Sequence, residues 1–454
     1  MNRIPGSEPV SRYDRLTKTP VPRLIIELSI PTILSMLVTG IYNTADTFFV
    51  GRISTQATAA VGLVFSVMAI IQAFGFMCGH GSGNYLARML GAGNEKEAEE
   101  MASTGFAIAV IIGFALAAAG MVFMDPLARF LGSGATEETI AETKTYMRII
   151  LMGAPFMTGQ FVINNQLRFQ GSAVYAMVGI MVGAVCNIFL DPLLIFVFHM
   201  GVAGAATATV CGQIISFAVL LAGSMRGENI HLNIRNVHLN GHYLFELING
   251  GIPSLFRQGL ASVSTILLNT SAGIWGGDAA IAGMSVVTRV MMLLCSAVIG
   301  FGQGYQPVCS FNYGAELKDR VKEGYFFCVK YATAFLSCGC VLFLVFAPQI
   351  IQIFRDDPEV IAVGTRALRF QACALPFMGT VFITNMMLQS CGRGLKASIT
   401  ASARNGLFFI PLILILPRIF GLTGVEITQA LADVLSFCVS VPMAYSELKK
   451  MNQD

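Results

Sequence analysis

The stretch Val174–Phe198, VYAMVGIMVGAVCNIFLDPLLIFVF, decides the fold. It is long and apolar enough to cross a lipid bilayer as one helix, which needs about 20 predominantly apolar residues. Asn187 and Asp191 are four residues apart, so on a helix their side chains lie on one face. Pro192 has no N–H and clashes with the carbonyl of residue 188, so the helix should kink beside the carboxylate. An ionisable residue inside a membrane helix costs about 3 kcal/mol and suggests a functional site, although Asp191 could instead be neutral and link two helices.

The composition of the whole chain is that of a membrane protein. The 454 residues are 55% hydrophobic and 12% charged, and the mean hydropathy is +0.68. A net charge of +3 without a basic-aromatic patch argues against nucleic-acid binding. The polar, basic first twenty residues contain no apolar core, so no signal peptide is predicted. The eleven cysteines are scattered and form no C-x-x-C, so we interpret them as packing residues.

Hydropathy predicts twelve membrane-spanning segments. They are roughly 24–48, 57–86, 101–124, 140–168, 173–198, 203–225, 243–272, 279–304, 321–347, 359–390, 396–417 and 423–446. Most Lys and Arg residues fall on the side that carries both termini, which predicts that both termini are cytoplasmic.

An internal repeat relates the two halves of the chain. Ile30-Pro31 recurs as Ile252-Pro253, and the same offset of about 221 residues relates further matches. These are Gly79-x-Gly81 with Gly302-x-Gly304, Pro155-Phe156-Met157 with Pro376-Phe377-Met378, and Asn164 with Asn385. Six helices return the chain to the same membrane side, so the repeats are parallel and enclose a cavity suited to alternating access. Pro31 and Pro253 predict kinks at corresponding positions.

The predicted fold is therefore an all-α integral membrane protein with twelve transmembrane helices in two six-helix bundles related by a parallel pseudo-two-fold repeat. We divide the chain into an N-terminal cytoplasmic segment (1–22), a first lobe (23–226), a cytoplasmic linker (227–241), a second lobe (242–447) and a cytoplasmic tail (448–454).

Two acids in the first half form the candidate site. Asp46 and Asp191 lie at comparable depth, toward the outer ends of their helices. Neutral oxygen ligands could come from Asn164, Asn165, Asn187 and Thr209. Such a set suits a hard cation such as Na⁺, and two coupled carboxylates can hold a proton instead. Neither acid recurs at the corresponding position of the second half. A structural acid would be expected in both halves, so this difference favours a functional role for the two acids.

The second half contains different buried polar residues: Arg257, Gln258, Arg289, Arg369, Glu426 and Asp433. Buried charges need partners, so we expect an internal ion-pair network, for example Arg257 or Arg289 with Asp433. Alternatively, one arginine faces the cavity and binds an anionic group of a substrate.

These patterns together resemble the multidrug and toxic compound extrusion (MATE) family, and in particular its bacterial MepA/DinF-like members. The resemblance runs from about residue 24 to 443. It rests on Ile30-Pro31, Asn43-x-x-Asp46-Thr47-x-x-x-Gly51, Asn187-x-x-x-Asp191-Pro192 and Gly201-Val-Ala-Gly204-Ala-Ala-x-Ala-Thr209. It implies a cation site at Asp46, Asn164, Asn187, Asp191 and Thr209, with Na⁺ held at Asp46, Asn187 and Asp191 if Na⁺ is the coupling ion. Arg257-Gln258 departs from members with further acids on the seventh helix, and Arg257, Gln258 and Asn165 become candidates for the substrate cavity.

The resemblance implies a secondary active multidrug efflux transporter that exports amphipathic, cationic compounds by antiport with H⁺ or Na⁺. We expect no other cofactor, small-molecule drugs and the lipid bilayer as partners, and a monomer in the bacterial inner membrane. The alternative is a flippase of lipid-linked or anionic substrates on a related scaffold. An enzyme is disfavoured because the chain has no H-E-x-x-H or G-x-S-x-G motif.

Overall fold

All regular structure in the described part of the chain is helical. The computed structural model describes residues 11–133 and 135–453, without the side chains of Asn43 and Thr44, so residues 1–10 of the predicted N-terminal segment lie outside it. The helices are α1 (Arg12–Lys18), α2 (Val21–Gly51), α3 (Thr55–Gly91), α4 (Glu95–Val122), α5 (Met124–Leu131), α6 (Glu137–Phe169), α7 (Ala173–Pro192), α8 (Gly201–Ser224), α9 (Gly241–Gly314), α10 (Lys318–Phe354), α11 (Pro358–Ser390), α12 (Gly394–Ser402), α13 (Phe409–Phe420) and α14 (Leu422–Lys450). A π-helical turn, Leu193–Val197, follows α7, and a second, Ala403–Leu407, lies between α12 and α13.

The long helix α9 is two membrane-spanning helices joined at Gly277. This residue has φ 64° and ψ −159°, a conformation that is essentially restricted to glycine. By length and composition, eleven helices of the described chain could cross a membrane, and α9 counts once among them. Divided at Gly277, α9 supplies two spans, which brings the number to the twelve predicted. The prediction of this fold is confirmed.

The two halves share structural details as well as sequence. Asn164 in α6 donates its amide to the carbonyl of Ala176 in α7 at 2.9 Å. Asn385 in α11 donates to the carbonyl of Ala397 in α12 at 2.7 Å. Donor and acceptor are both displaced by the same 221 residues (385 − 164 and 397 − 176). Each bond ties the start of one helix to the end of the preceding one, so the repeat is structural.

The first and the last described segments of the chain lie at one end of the bundle, which we call the base. Arg320, at the start of α10, donates to the carbonyl of Thr19 at 2.6 Å. Lys322 donates to Asn452, beyond the end of α14, at 2.5 Å. The first helix α1 also lies here, because the carbonyl of Leu16 accepts from Asn312 of α9 at 3.2 Å. We call the opposite end of the bundle the distal end.

The lobes meet along a seam at the base. Asn84 of α3 accepts a hydrogen bond from Ser310 of α9 at 2.9 Å, and Ser29 of α2 donates to the carbonyl of Phe301 at 3.1 Å. At Gly91 and Gly314 the helices approach so closely that a methyl group would collide with backbone of the other lobe. Glycine is needed there because only a bare Cα permits that approach.

The buried charges of the second lobe correct one prediction. Asp433 pairs with Arg404 at 2.7 Å, and Glu426 pairs with Arg366 at 3.0 Å. The expected pairing of Arg257 or Arg289 with Asp433 is therefore wrong. Arg404 is near enough in space because the π-helical turn between α12 and α13 carries it toward α14.

Candidate functional site

Helix α7 carries Asn187 and Asp191 into the interior of the first lobe. Asn187 is 2% exposed and Asp191 is fully buried. Pro192 cannot donate to the carbonyl of residue 188, and the chain continues as the π-helical turn Leu193–Val197. The irregularity predicted at Pro192 is thus a π-helical turn, a feature frequent at functional sites.

Helix α8 packs against this face of α7 through glycine. A Cβ built on Gly212 would lie 2.9 Å from the carbonyl oxygen of Gly183 and 3.1 Å from the Cβ of Asn187. Lipid provides no hydrophobic drive for helix association, so close backbone packing of this kind holds the pair together. The contact also fixes the position of Asn187.

Asp46 approaches Asp191 from the distal end of α2. The two carboxylates are near enough to interact electrostatically. Five buried atoms of the site have no hydrogen-bond partner in the described structure: Oδ1 of Asp46, both carboxylate oxygens of Asp191, and both amide atoms of Asn187. Each unsatisfied buried polar atom costs about 1–3 kcal/mol. A cation or a proton bound between the two helices would satisfy most of them.

Two tyrosines and a threonine complete the site. The hydroxyl of Tyr146 in α6 bonds to the Thr209 side chain, and Tyr146 interacts electrostatically with both carboxylates. Tyr42 interacts with the same two acids from α2. Sequence analysis missed both tyrosines. The one available signal was that Tyr42 precedes Asp46 by one helical turn.

Asn164 does not join this site. Its amide bonds to Ala176, which precedes Asp191 by 15 residues on α7. At 1.5 Å per residue, that separation is about 22 Å along the helix. Asn165 is also remote, since its oxygen accepts a hydrogen bond from Arg168 near the end of α6. The site that the structure assembles therefore contains Asp46, Asn187, Asp191 and Thr209, but neither of these asparagines.

The chemistry of the site is that of hard oxygen ligands. Carboxylate, amide and hydroxyl oxygens suit Na⁺, and a pair of carboxylates also suits a shared proton. The described residues contain no cluster of three or more His, Cys, Asp and Glu side chains able to hold a metal ion.

Comparison with known families accounts for both halves of the chain. The MatE family model matches twice, over residues 31–193 and 253–415. The chain belongs to the MatE family. The first match begins at Pro31 and the second at Pro253, which is the repeat predicted from the sequence. The first match contains Asp46, Asn187 and Asp191.

Relatives and solved structures of MATE proteins cover nearly the full length. The chain is 27% identical over 437 residues to the multidrug export protein MepA of Staphylococcus haemolyticus, with 95% of each chain covered. A crystal structure of MATE in complex with MaL6 is 25% identical, with a TM-score of 0.92 over 98% of this chain and 100% of that one. An outward-facing MATE multidrug resistance transporter is 25% identical, with a TM-score of 0.90 over 98% and 99% of the two chains.

Within this MATE fold, two of the three substrate-cavity candidates lie near the seam. Arg257 donates to Asn385 at 3.2 Å. Asn165 accepts from Arg168, which also donates to Gln303 of the second lobe at 2.5 Å. Gln258, next to Arg257, is partly buried. Sequence analysis did not single out Arg168, because nothing in the sequence shows that its side chain reaches the other lobe.

Proposed function

We propose that this protein is a secondary active multidrug exporter of the bacterial cell membrane, which couples efflux of amphipathic compounds to entry of H⁺ or Na⁺. The observation that carries the proposal is the set of buried, unpaired oxygens on Asp46 and Asp191. The similarity to MepA multidrug export proteins supports the efflux function, and the site supplies a place for the coupling ion.

The structure suggests how the two lobes alternate. The lobes are closed against each other at the base, so this conformation blocks passage there. The Lys and Arg bias favours a cytoplasmic base, which makes the closed face the inner one. In this state the distal ion site would load from outside the cell. Transport then requires a second state in which the seam at the base parts.

Helix α2 connects the ion site to the seam. Its distal end carries Asp46, and its other end packs on the second lobe. There Ser29 bonds to the carbonyl of Phe301, and a Cβ built on Gly300 would lie 3.0 Å from Ile33. An ion that draws Asp46 toward Asp191 changes the position of α2 and therefore the packing at the seam. Pro31, between Ser29 and Ile33, weakens the helix where the two contacts lie.

The coupling is energetically sufficient. One charge moved through 100 mV is worth about 2.3 kcal/mol. Since 1.4 kcal/mol corresponds to tenfold, this sustains roughly a fifty-fold gradient of a neutral substrate. The ion and the substrate must favour opposite states of the seam, because a ligand with equal affinity for both states does not shift the equilibrium between them.

The test is gradient-driven efflux in proteoliposomes, with an imposed Na⁺ gradient and, separately, a pH gradient. Both anionic and cationic dyes are loaded, so the outcome does not depend on substrate charge. We expect Asp46→Asn and Asp191→Asn to abolish gradient-driven efflux with unchanged expression. Asp125→Asn is the matched control, because this acid lies outside the site and pairs with Lys144. Wild-type efflux rates in both site variants would overturn the proposal.

A further inference from the structure

Two arginines at the seam have no acidic partner. Arg168 is 4% exposed, and its Nε atom is buried without a hydrogen-bond partner. Its other nitrogens donate to the neutral side chains of Gln303 and Asn165. Arg257 donates to Asn385, which is also neutral. The ion pairs of the described residues include neither arginine, and the two cations interact electrostatically with each other.

His80 lies beside the two arginines on the same seam. It is fully buried and interacts electrostatically with both of them. Its Nδ1 lies 3.1 Å from the carbonyl of Phe76, and its Nε2 has no partner. We call Arg168, Arg257, His80 and Gln303 the seam cluster. Its members come from both lobes: α3 and α6 from the first, and the two halves of α9 from the second.

The seam cluster lies just above the closed part of the seam. Asn84, one helical turn closer to the base than His80, is bonded to Ser310 of the other lobe. Gly304, next to Gln303, packs against Ser29 of α2. The hydrogen bond from Arg168 to Gln303 itself crosses between the lobes. The cluster therefore lies between the two lobes, beside the contacts that close the seam, where a bound substrate would bias the two states.

Among the described residues, no acid pairs with either arginine or interacts with it electrostatically. Asp46 is 17 residues beyond Ser29 on α2, which is about 25 Å along the helix. Glu246, on the same helix as Arg257, pairs with Arg88 at 3.0 Å. The repeat counterpart of Arg168, at an offset of 221, is the neutral Gln389. The positive charge of Arg168 therefore does not serve a packing role that the two lobes share.

Buried cations without a counter-charge are costly, and they persist in membrane proteins where a function requires them. We infer that the substrates of this transporter carry an anionic group, a carboxylate, sulfonate or phosphate, which binds the guanidinium groups of Arg168 and Arg257. The planar fork of an arginine matches such groups with two parallel hydrogen bonds. This replaces the cationic substrate expected from the sequence, and it rests on the proposed export function.

The experiment compares two xanthene dyes of opposite charge, carboxyfluorescein and rhodamine 6G. Binding to the purified full-length protein is followed by fluorescence polarisation. We expect tighter binding of carboxyfluorescein, and at least a tenfold loss of its affinity in Arg257→Gln and in Arg168→Gln. Rhodamine 6G binding should not weaken in either variant, and Arg257→Lys should lose less than Arg257→Gln. Arg369→Gln is the control, because this arginine is exposed and donates to the carbonyl of Leu344, away from the seam cluster.

The outcomes separate this inference from the proposed function. Preference of the wild type for rhodamine 6G, or unchanged carboxyfluorescein affinity in a folded Arg257→Gln variant, overturns the inference. If rhodamine 6G alone is exported under an ion gradient, the proposed function stands and the inference fails. If neither dye is exported under either gradient, both fail. Should Arg168→Gln not fold, Arg257→Gln decides the question alone.

Discussion

The closed seam should open when one methyl group is added at Gly314. A Cβ at this position would collide with the backbone of Arg88 on the other lobe. Backbone atoms cannot rotate away as a side chain can, so the two helices must separate. Overpacking of this kind costs about 1–3 kcal/mol. Because the clash exists only while the lobes are in contact at the base, Gly314→Ala should shift the equilibrium toward the base-open state by about 5- to 150-fold.

Electron–electron resonance between two spin labels measures this shift. The label sites are Lys96 in the first lobe and Asp319 in the second, both at the base and with side chains 87% and 98% exposed. The native cysteines are removed, and cysteines for labelling are introduced at the two sites. In nanodiscs, this protein should give one short distance between the labels, and adding Gly314→Ala should produce a second, longer distance. Gly259→Ala is the control, because a Cβ there has nothing within 4 Å. An unchanged distance distribution in a folded Gly314→Ala protein would refute the seam as the closed gate.

Two further predictions concern the second lobe. Asp433→Ala should destabilise the protein by about 3–5 kcal/mol, since it leaves Arg404, whose side chain is only 22% exposed, without its ionic partner. Thermal unfolding in detergent measures the loss, and an unchanged melting temperature would contradict it. Asn385→Ala should cost about 1–3 kcal/mol, because Arg257 loses the acceptor it has on Asn385 and the carbonyl of Ala397 keeps only Thr400 as a side-chain donor. The double variant with Asn164→Ala should show additive losses, because the two bonds lie in different lobes.

Most of the fold could be predicted because its signals are local. Twelve apolar runs and a repeat offset near 221 are properties of the sequence alone, and the two MatE matches agree with them. The positive φ of Gly277, where the chain passes from one membrane-spanning helix to the next, could not be predicted from hydropathy. The pairing of Arg404 with Asp433 was also missed, because it depends on how α12, α13 and α14 pack.

The candidate site was only partly predictable. Acids in apolar helices are conspicuous, so Asp46 and Asp191 stand out without a structure. Tyr146 does not, because aromatic residues are common in membrane helices and its contact with Thr209 joins α6 to α8. The prediction that Asn164 is a ligand of the cation site is not supported by its position in the structure. Asn164 matches a family position, but it lies in the last turns of α6, at the other end of the bundle from Asp191.

The central claim is that Asp46 and Asp191 bind one ion together. A double-mutant cycle on ion-dependent stability tests it most directly, since a ligand that binds only the folded state raises its stability. Melting temperature is followed against NaCl, with choline chloride as control, and against pH. We predict that Asp46→Asn and Asp191→Asn each abolish the response to the coupling ion and that the double variant loses nothing more. A wild-type response in either single variant, or losses that add in the double variant, would contradict the account.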